Sequence, residues 1–164
     1  MNRRLAPALA LALLAALAVP CVPHAETIIG PHLGFSGSPD QFILGGQIQF
    51  ADVAPQLDFV PGVDLGLGDG LTVLGLNGDF HYRIPVRNTT WQPYAGAGVS
   101  LFIFSADTGD FGGSRSSGSA GGGSLILGAD VPTQSGSRFF AEMKFGLGDG
   151  PSFRLIGGWH FRMR

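Results

Sequence analysis

The sequence predicts an all-β fold, namely an eight-stranded antiparallel up-and-down transmembrane β-barrel. Apolar and polar residues alternate with period two through most of the chain after residue 26, which is the pattern of strands and not of helices. Turn residues separate the alternating segments. Charged residues form only 13% of the chain, against roughly 25% in soluble domains. A surface that faces water everywhere is therefore not expected.

The start of the chain has the layout of a secretory signal peptide. Arg3 and Arg4 form a basic start, residues 5–19 are apolar, and Ala25 is a small residue suited to cleavage. The apolar stretch is shorter than the about 20 residues that a transmembrane helix needs. We expect this segment to be removed after export.

Two cleavage positions fit, after Cys21 or after Ala25. The predicted division is a signal peptide, 1–25, and a barrel domain, 26–164. Cys21 is the only cysteine, so the barrel domain has no disulfide and no thiol chemistry. A lipid-anchored Cys21 is the alternative, although Pro20 directly before it fits such a site poorly.

Eight segments are predicted as strands. The first, fifth and sixth alternate more weakly than the others but remain compatible with strands. In order, the segments are 27–36, 41–51, 56–66, 72–85, 91–104, 119–131, 138–147 and 152–163.

The other five segments each separate large apolar residues from polar ones. The apolar faces contain Phe42, Leu44, Ile48 and Phe50; Leu57, Phe59, Val63 and Leu65; Leu74, Leu76, Phe80, Tyr82 and Ile84; Phe139, Met143, Phe145 and Leu147; and Phe153, Leu155, Trp159, Phe161 and Met163. The opposite faces contain Gln41, Gln47 and Gln49; Asp58 and Asp64; Asn77, Asp79, His81 and Arg83; Arg138, Glu142 and Lys144; and Arg154, His160 and Arg162.

The connections between segments are short and rich in Gly, Pro, Asp, Asn and Ser, which favours tight turns. Short links give an antiparallel meander, and an even strand number allows closure with both ends on one side. The exception is the Gly/Ser-rich stretch 105–118, which is predicted as a mobile loop.

The polar face is predicted to line the lumen and the apolar face to contact lipid. Eleven glycines share the parity of the charges, and the interior of an eight-stranded barrel has room for few large side chains. Opposite charges lie close in sequence, as in Glu142 with Lys144 and Asp79 with Arg83. Apolar-face aromatics near segment ends fit a girdle at a membrane boundary. The glycines are Gly30, Gly34, Gly45, Gly62, Gly66, Gly75, Gly96, Gly98, Gly128, Gly146 and Gly158, and the aromatics are Phe50, Tyr82, Trp91, Trp159 and Phe161.

The runs 91–99, 140–145 and 158–163 resemble strands of the small eight-stranded outer-membrane barrels, the OmpA-transmembrane-like and OmpX-like group. The resemblance implies bacterial outer-membrane localisation, with outer-membrane lipid and the barrel-insertion machinery as partners. Members usually end in an aromatic residue that this machinery reads, whereas this chain ends Met163-Arg164.

With both ends in the periplasm, the links 36–41, 66–72, 104–119 and 147–152 are expected to face outward. Loop 105–118 is then a candidate surface for an extracellular ligand. Its charged residues are Asp107, Asp110 and Arg115.

No catalytic, cofactor-binding or metal-binding residue is predicted, and no basic patch indicates nucleic acid. His32, His81 and His160 would form a metal site only if they met in space, so lumen hydrogen bonding is favoured. Ser100 and Ser124 would need a histidine base for hydrolysis, and none is close in sequence.

The repeat Leu67-Gly68-Asp69-Gly70 and Leu147-Gly148-Asp149-Gly150 favours two turns with glycine at positive φ over calcium or anion sites. The predicted function is a non-enzymatic outer-membrane barrel with a structural or surface-interaction role and a plugged polar lumen, without a large pore. The alternatives are an outer-membrane lipid-modifying enzyme and a soluble periplasmic, lipocalin-like barrel that binds an apolar ligand.

Overall fold

The computed structural model describes residues 26–68, 70–107, 115–134 and 136–163, with side chains except at 106, 107, 115 and 116. The predicted signal peptide therefore lies outside the described residues. The chain forms a closed barrel in which each strand pairs antiparallel with the next and β8 pairs with β1. The eight strands are β1 Thr27–Gly37, β2 Gln41–Ala54, β3 Leu57–Gly68, β4 Leu71–Arg83, β5 Gln92–Asp107, β6 Arg115–Pro132, β7 Arg138–Gly148 and β8 Phe153–Arg162.

The predicted all-β, eight-stranded antiparallel fold is confirmed. Most strand boundaries lie within three residues of the predicted segments. None of the described residues forms a helix long and apolar enough to cross a membrane.

The predicted loop 105–118 is wrong in its bounds. β5 and β6 continue into it, and Ser105 pairs with Ser117 while Phe104 pairs with Gly118. Ladder hydrogen bonds join backbone groups, so a strand can continue through small residues that show no alternation. Residues 108–114 lie outside the described part of the chain.

The strands are staggered by ten residues around the barrel. A row of paired residues that starts at Thr27 of β1 returns to that strand at Gly37. Such stagger requires strands tilted to the barrel axis. The row lies on the outer face and contains the aromatic contacts Phe50–Phe59, Phe59–Phe80 and Phe145–Phe153. Its members are Thr27, Phe50, Phe59, Phe80, Ala97, Leu125, Phe145, Phe153 and Gly37.

The apolar face points outward, as predicted. Leu33, Phe35, Leu44, Leu127 and Trp159 are among its exposed side chains, whereas the charged residues of the strand centres are buried. The soluble, lipocalin-like alternative is wrong, because it requires these apolar side chains inside. An exposed apolar belt around a closed barrel is a lipid-facing surface.

The lumen is less uniformly polar and small than predicted. Besides the charged residues, it contains buried aromatic and branched side chains on the same inner face. These are Ile28, Ile43, Val60, Val73, Tyr94, Phe102, Ile126, Phe140 and Ile156.

Candidate functional site in the barrel lumen

The side chain of Asp64 is the centre of one buried cluster. Its Oδ1 lies 2.7 Å from His32 Nε2. Its Oδ2 accepts hydrogen bonds from Asn77 Nδ2 at 2.7 Å and from Arg154 at 3.0 Å. We call these four residues the Asp64 cluster; they come from β1, β3, β4 and β8.

Arg154 connects this cluster across the lumen. Its guanidinium also donates to Asn77 Oδ1 at 3.1 Å, and Ser100 Oγ donates to the same oxygen at 2.7 Å. Its guanidinium carbon lies 5.3 Å from the ring centre of Phe102, within the range of a cation–π contact. Because β4 and β8 are four strands apart in an eight-stranded ring, the Arg154–Asn77 bond spans opposite walls.

A second buried group, the Lys144 cluster, contains Asp79, His81, Tyr94, Glu142 and Lys144. The ammonium of Lys144 pairs with Asp79 and lies 3.2 Å from Glu142 Oε1. Tyr94 donates to Glu142 Oε2 at 2.9 Å, and His81 Nε2 lies 3.5 Å from the same oxygen. The rings of His81 and Tyr94 stack at 4.6 Å. One cation thus pairs with carboxylates on two strands, β4 and β7.

Glycines leave the space that this cluster occupies. A Cβ at Gly98 would overlap Asp79 Oδ1, and a Cβ at Gly128 would overlap the ring of Tyr94. Glycine and polar side chains share the lumen face because a larger residue at these glycine positions would occupy the space of the polar side chain. Without these glycines, Asp79 and Tyr94 could not lie against the walls of β5 and β6.

Two further clusters lie near the barrel end at which β1 begins and β8 ends. His160 lies 3.0 Å from Asp130 Oδ1 and 3.0 Å from Gln47 Nε2, and its ring stacks on Phe140 at 4.2 Å. In the other cluster, Asp58 accepts from Gln49 at 2.6 Å and from the backbone of Asp52 at 2.9 Å, and pairs with Arg83 at 3.3 Å.

The close sequence pair Glu142–Lys144 is an ion pair, but Asp79–Arg83 is not. Asp79 pairs with Lys144, whereas Arg83 pairs with Asp52 and Asp58. Arg162, assigned to the polar face, lies at the open end of the barrel, where it pairs with Glu26 at 2.8 Å and is mostly exposed.

The three histidines do not share a site. His32, His81 and His160 each lie against a different carboxylate: Asp64, Glu142 and Asp130. Within the described residues, Asp79, His81 and Glu142 have ligand atoms within 4.8 Å of one another, which is a spacing that could hold a metal ion. The ammonium of Lys144 pairs with both carboxylates of this group, so a protein cation lies where a metal would bind.

Ser100 and Ser124 lie inside the barrel, not on a rim. Ser100 donates to Asn77, and both serine side chains are buried. Among the described residues, Ser124 Oγ has no hydrogen-bond partner. Neither hydroxyl bonds to a histidine in the structure as described.

The repeated Gly-Asp-Gly turns differ in backbone conformation. The first has positive φ at Gly70, whereas the second has it at Gly148, before Asp149. Asp69 lies outside the described residues. Of the candidate ligand loop 105–118, the side chains of Asp107, Asp110 and Arg115 are also outside the described part, so the suggested extracellular ligand stays a prediction.

Three solved structures share the barrel fold at low sequence identity. The N-terminal β-barrel domain of Pseudomonas aeruginosa OprF matches with a TM-score of 0.70 at 13% identity, over 85% of this chain and 98% of that chain. A major outer membrane protein from Thermus thermophilus gives 0.61 at 16% identity, over 85% and 100%. Neisserial surface protein A gives 0.60 at 15% identity, over 85% and 96%.

No protein-family model and no curated protein sequence matches the chain. The fold is that of the small eight-stranded outer-membrane barrels that the sequence resembles. Together with the exposed apolar belt, it supports the predicted location in the bacterial outer membrane.

Proposed function

We propose that this outer-membrane barrel is not an enzyme, has a structural or surface-interaction role, and has a lumen plugged by its own side chains. The cross-lumen ion pairs carry this proposal. Asp79 and Glu142 are 1% exposed and Lys144 and Arg154 are 3% exposed. A water-filled channel wide enough for solutes would leave such groups hydrated.

The side chains that fill the lumen form ion pairs between strands that are not neighbours. Lys144 of β7 reaches Asp79 of β4, and Arg154 of β8 reaches Asp64 of β3. Since breaking a buried pair leaves an uncompensated charge and costs about 3–5 kcal/mol, these ion pairs resist opening. The cavity beside Arg154 has a volume of about 20 Å³, enough for about one water molecule.

The surroundings of the two serines support the non-enzymatic part of the proposal. A hydrolase needs a nucleophile within hydrogen-bond reach of a base, and it needs access to its substrate. Ser100 instead donates to the amide oxygen of Asn77, accepts from Arg154 at 3.5 Å and is buried.

Outer-membrane lipid and the barrel-insertion machinery are the proposed partners. The exposed apolar belt supplies the lipid contact. Strand β8 presents Trp159 and Phe161 outward, and these alternating aromatics would offer the insertion machinery a signal. An extracellular ligand would use the β5–β6 connection.

The first test is solute passage through the full-length protein in planar bilayers and in liposomes that swell when sugars enter. We expect no large-solute conductance and no swelling above protein-free vesicles. Arg162→Ala is the control for an exposed charge change, and it should behave like the parent. Swelling with disaccharides in the parent would contradict a plugged lumen.

The second test concerns catalysis. The lipids of cells that express the parent, Ser100→Ala or Ser124→Ala are compared by mass spectrometry, together with alanine variants of His32, His81 and His160. We expect identical lipid profiles throughout. A lipid change that needs one serine and one histidine would establish the enzyme alternative.

A further inference from the structure

The loop that joins β4 to β5, residues 84–91, exposes apolar side chains at the barrel end where β1 begins and β8 ends. Ile84 is 40% exposed, Val86 42% and Trp91 46%. All eight residues of this loop are exposed. Three large apolar side chains exposed on one short loop favour an environment other than water alone.

The backbone of this loop is held in place. Ile84 N donates to Pro93 O at 2.9 Å, and the Gln92 side chain donates to Ile84 O at 2.8 Å. Thr89 Oγ1 donates to Trp91 O at 3.1 Å. Two of these bonds join the first loop residue to β5, and one lies within the loop.

The loop follows directly after the outward-facing positions of β4. Tyr82 and Ile84 extend the outward parity of β4. The chain has two Trp and two Tyr residues; Tyr94 is in the lumen, and the other three are exposed in the half of the barrel near the termini. Trp and Tyr concentrate where a protein crosses the boundary between hydrocarbon and headgroups.

Arg87 of this loop has no ion-pair partner among the residues that the structure describes. At the same barrel end, Arg83 pairs with Asp52, Arg162 with Glu26, and Arg138 lies 3.9 Å from Asp130. Arg87 is exposed, and a guanidinium can bind phosphate through two parallel hydrogen bonds.

We propose that the β4–β5 loop is a binding surface for anionic phospholipid headgroups in the periplasmic leaflet. Ile84, Val86 and Trp91 lie at the boundary between headgroups and acyl chains, and Arg87 binds the lipid phosphate. This inference rests on the proposed membrane-spanning barrel. A protein partner on the same loop is the competing outcome of the tests.

The first test measures the depth of the two tryptophans separately. Trp159→Phe leaves Trp91 as the only indole, and Trp91→Phe leaves Trp159. Both full-length variants are reconstituted in phosphatidylcholine–phosphatidylglycerol vesicles that carry bromine at shallow or deep acyl positions. We expect shallow bromines to quench Trp91 more than deep ones, and deep bromines to quench Trp159 more than they quench Trp91.

The second test measures lipid selectivity. The protein is released from nanodiscs of equal phosphatidylcholine and phosphatidylglycerol, and retained lipids are counted by native mass spectrometry. We expect Arg87→Gln to reduce the preference for phosphatidylglycerol about fivefold. Arg87→Lys should keep most of it, and the matched control Arg162→Gln should stay within about twofold of the parent.

Two results would overturn the inference while leaving the barrel intact. In one, Trp159 is quenched by brominated lipid but Trp91 responds only to aqueous acrylamide, so the loop faces water or a protein. In the other, Arg87→Gln retains lipids as the parent does. If brominated lipid quenches neither tryptophan, membrane insertion itself is wrong, and the inference fails with it.

Discussion

Lys144 Nζ lies 3.2 Å from Glu142 Oε1, and a single residue separates the two on β7. Both side chains point inward because strand side chains alternate. The same ammonium pairs with Asp79 across the lumen. Lys144 is therefore the ion-pair partner that two buried carboxylates share.

Lys144→Met should destabilise the barrel by about 3–5 kcal/mol, because it leaves two buried carboxylates without their cation. Urea unfolding of the protein in lipid vesicles, followed by tryptophan fluorescence, measures the loss. Asp79→Asn in the same chain removes one of the two orphaned charges and should restore part of the stability. Equal stability of Lys144→Met and the parent would show that the pairs contribute nothing.

Zinc should bind the Lys144→Met variant but not the parent. Removing the ammonium frees Asp79, His81 and Glu142, whose ligand atoms lie within 4.8 Å and whose types suit Zn²⁺. The variant folded with Zn²⁺ should unfold at a higher urea concentration than without it, because ligand binding stabilises the native state. A His81→Ala/Lys144→Met variant should lose this response, and a zinc effect of equal size on the parent would argue against occupation by Lys144.

Gly128→Ala should destabilise the protein by about 1–3 kcal/mol, as overpacking usually does. Its Cβ would overlap the Tyr94 ring, so the ring must leave Glu142 and its stack on His81. Gly46→Ala is the matched control because it faces outward and its Cβ meets nothing within 4 Å. We expect the control to change stability by no more than about 0.5 kcal/mol, as measured by the same urea titration.

Heat modifiability should reveal closure of the barrel. A detergent-extracted outer-membrane fraction, run unboiled, should give a band that shifts on boiling, because the closed ladder has no free edge at which unfolding can begin. Circular dichroism of the unboiled protein should be of the β type. A soluble, detergent-free protein without a shift would contradict the membrane barrel.

The lipid-facing side could be predicted wherever bulky and polar residues alternate. In β8, Trp159, His160 and Phe161 differ enough to fix the parity. The interior aromatic residues could not be predicted in this way. Phe140 follows Phe139, and Ile126 lies between two leucines, so alternation gives no contrast at these positions.

Ion-pair partners on opposite sides of the lumen also could not be predicted from the spacing of charged residues in the sequence. Glu142 and Lys144 are close in sequence and their pairing was correct. Asp79 pairs with a lysine 65 positions away, because barrel closure brings β4 and β7 together, and no local pattern records that. Barrel closure also places each of the three histidines beside a different carboxylate.

The distribution of partners along the chain has a consequence for assembly. The acids Asp64 and Asp79 lie on β3 and β4, whereas their cations Arg154 and Lys144 lie on β8 and β7. A folding intermediate in which only β1 to β6 have paired thus contains Asp64 and Asp79 without the cations that pair with them. Inserting such a fragment into hydrocarbon would be costly. The β7–β8 hairpin supplies both cations, so we expect a fragment without it to insert less readily than the complete barrel.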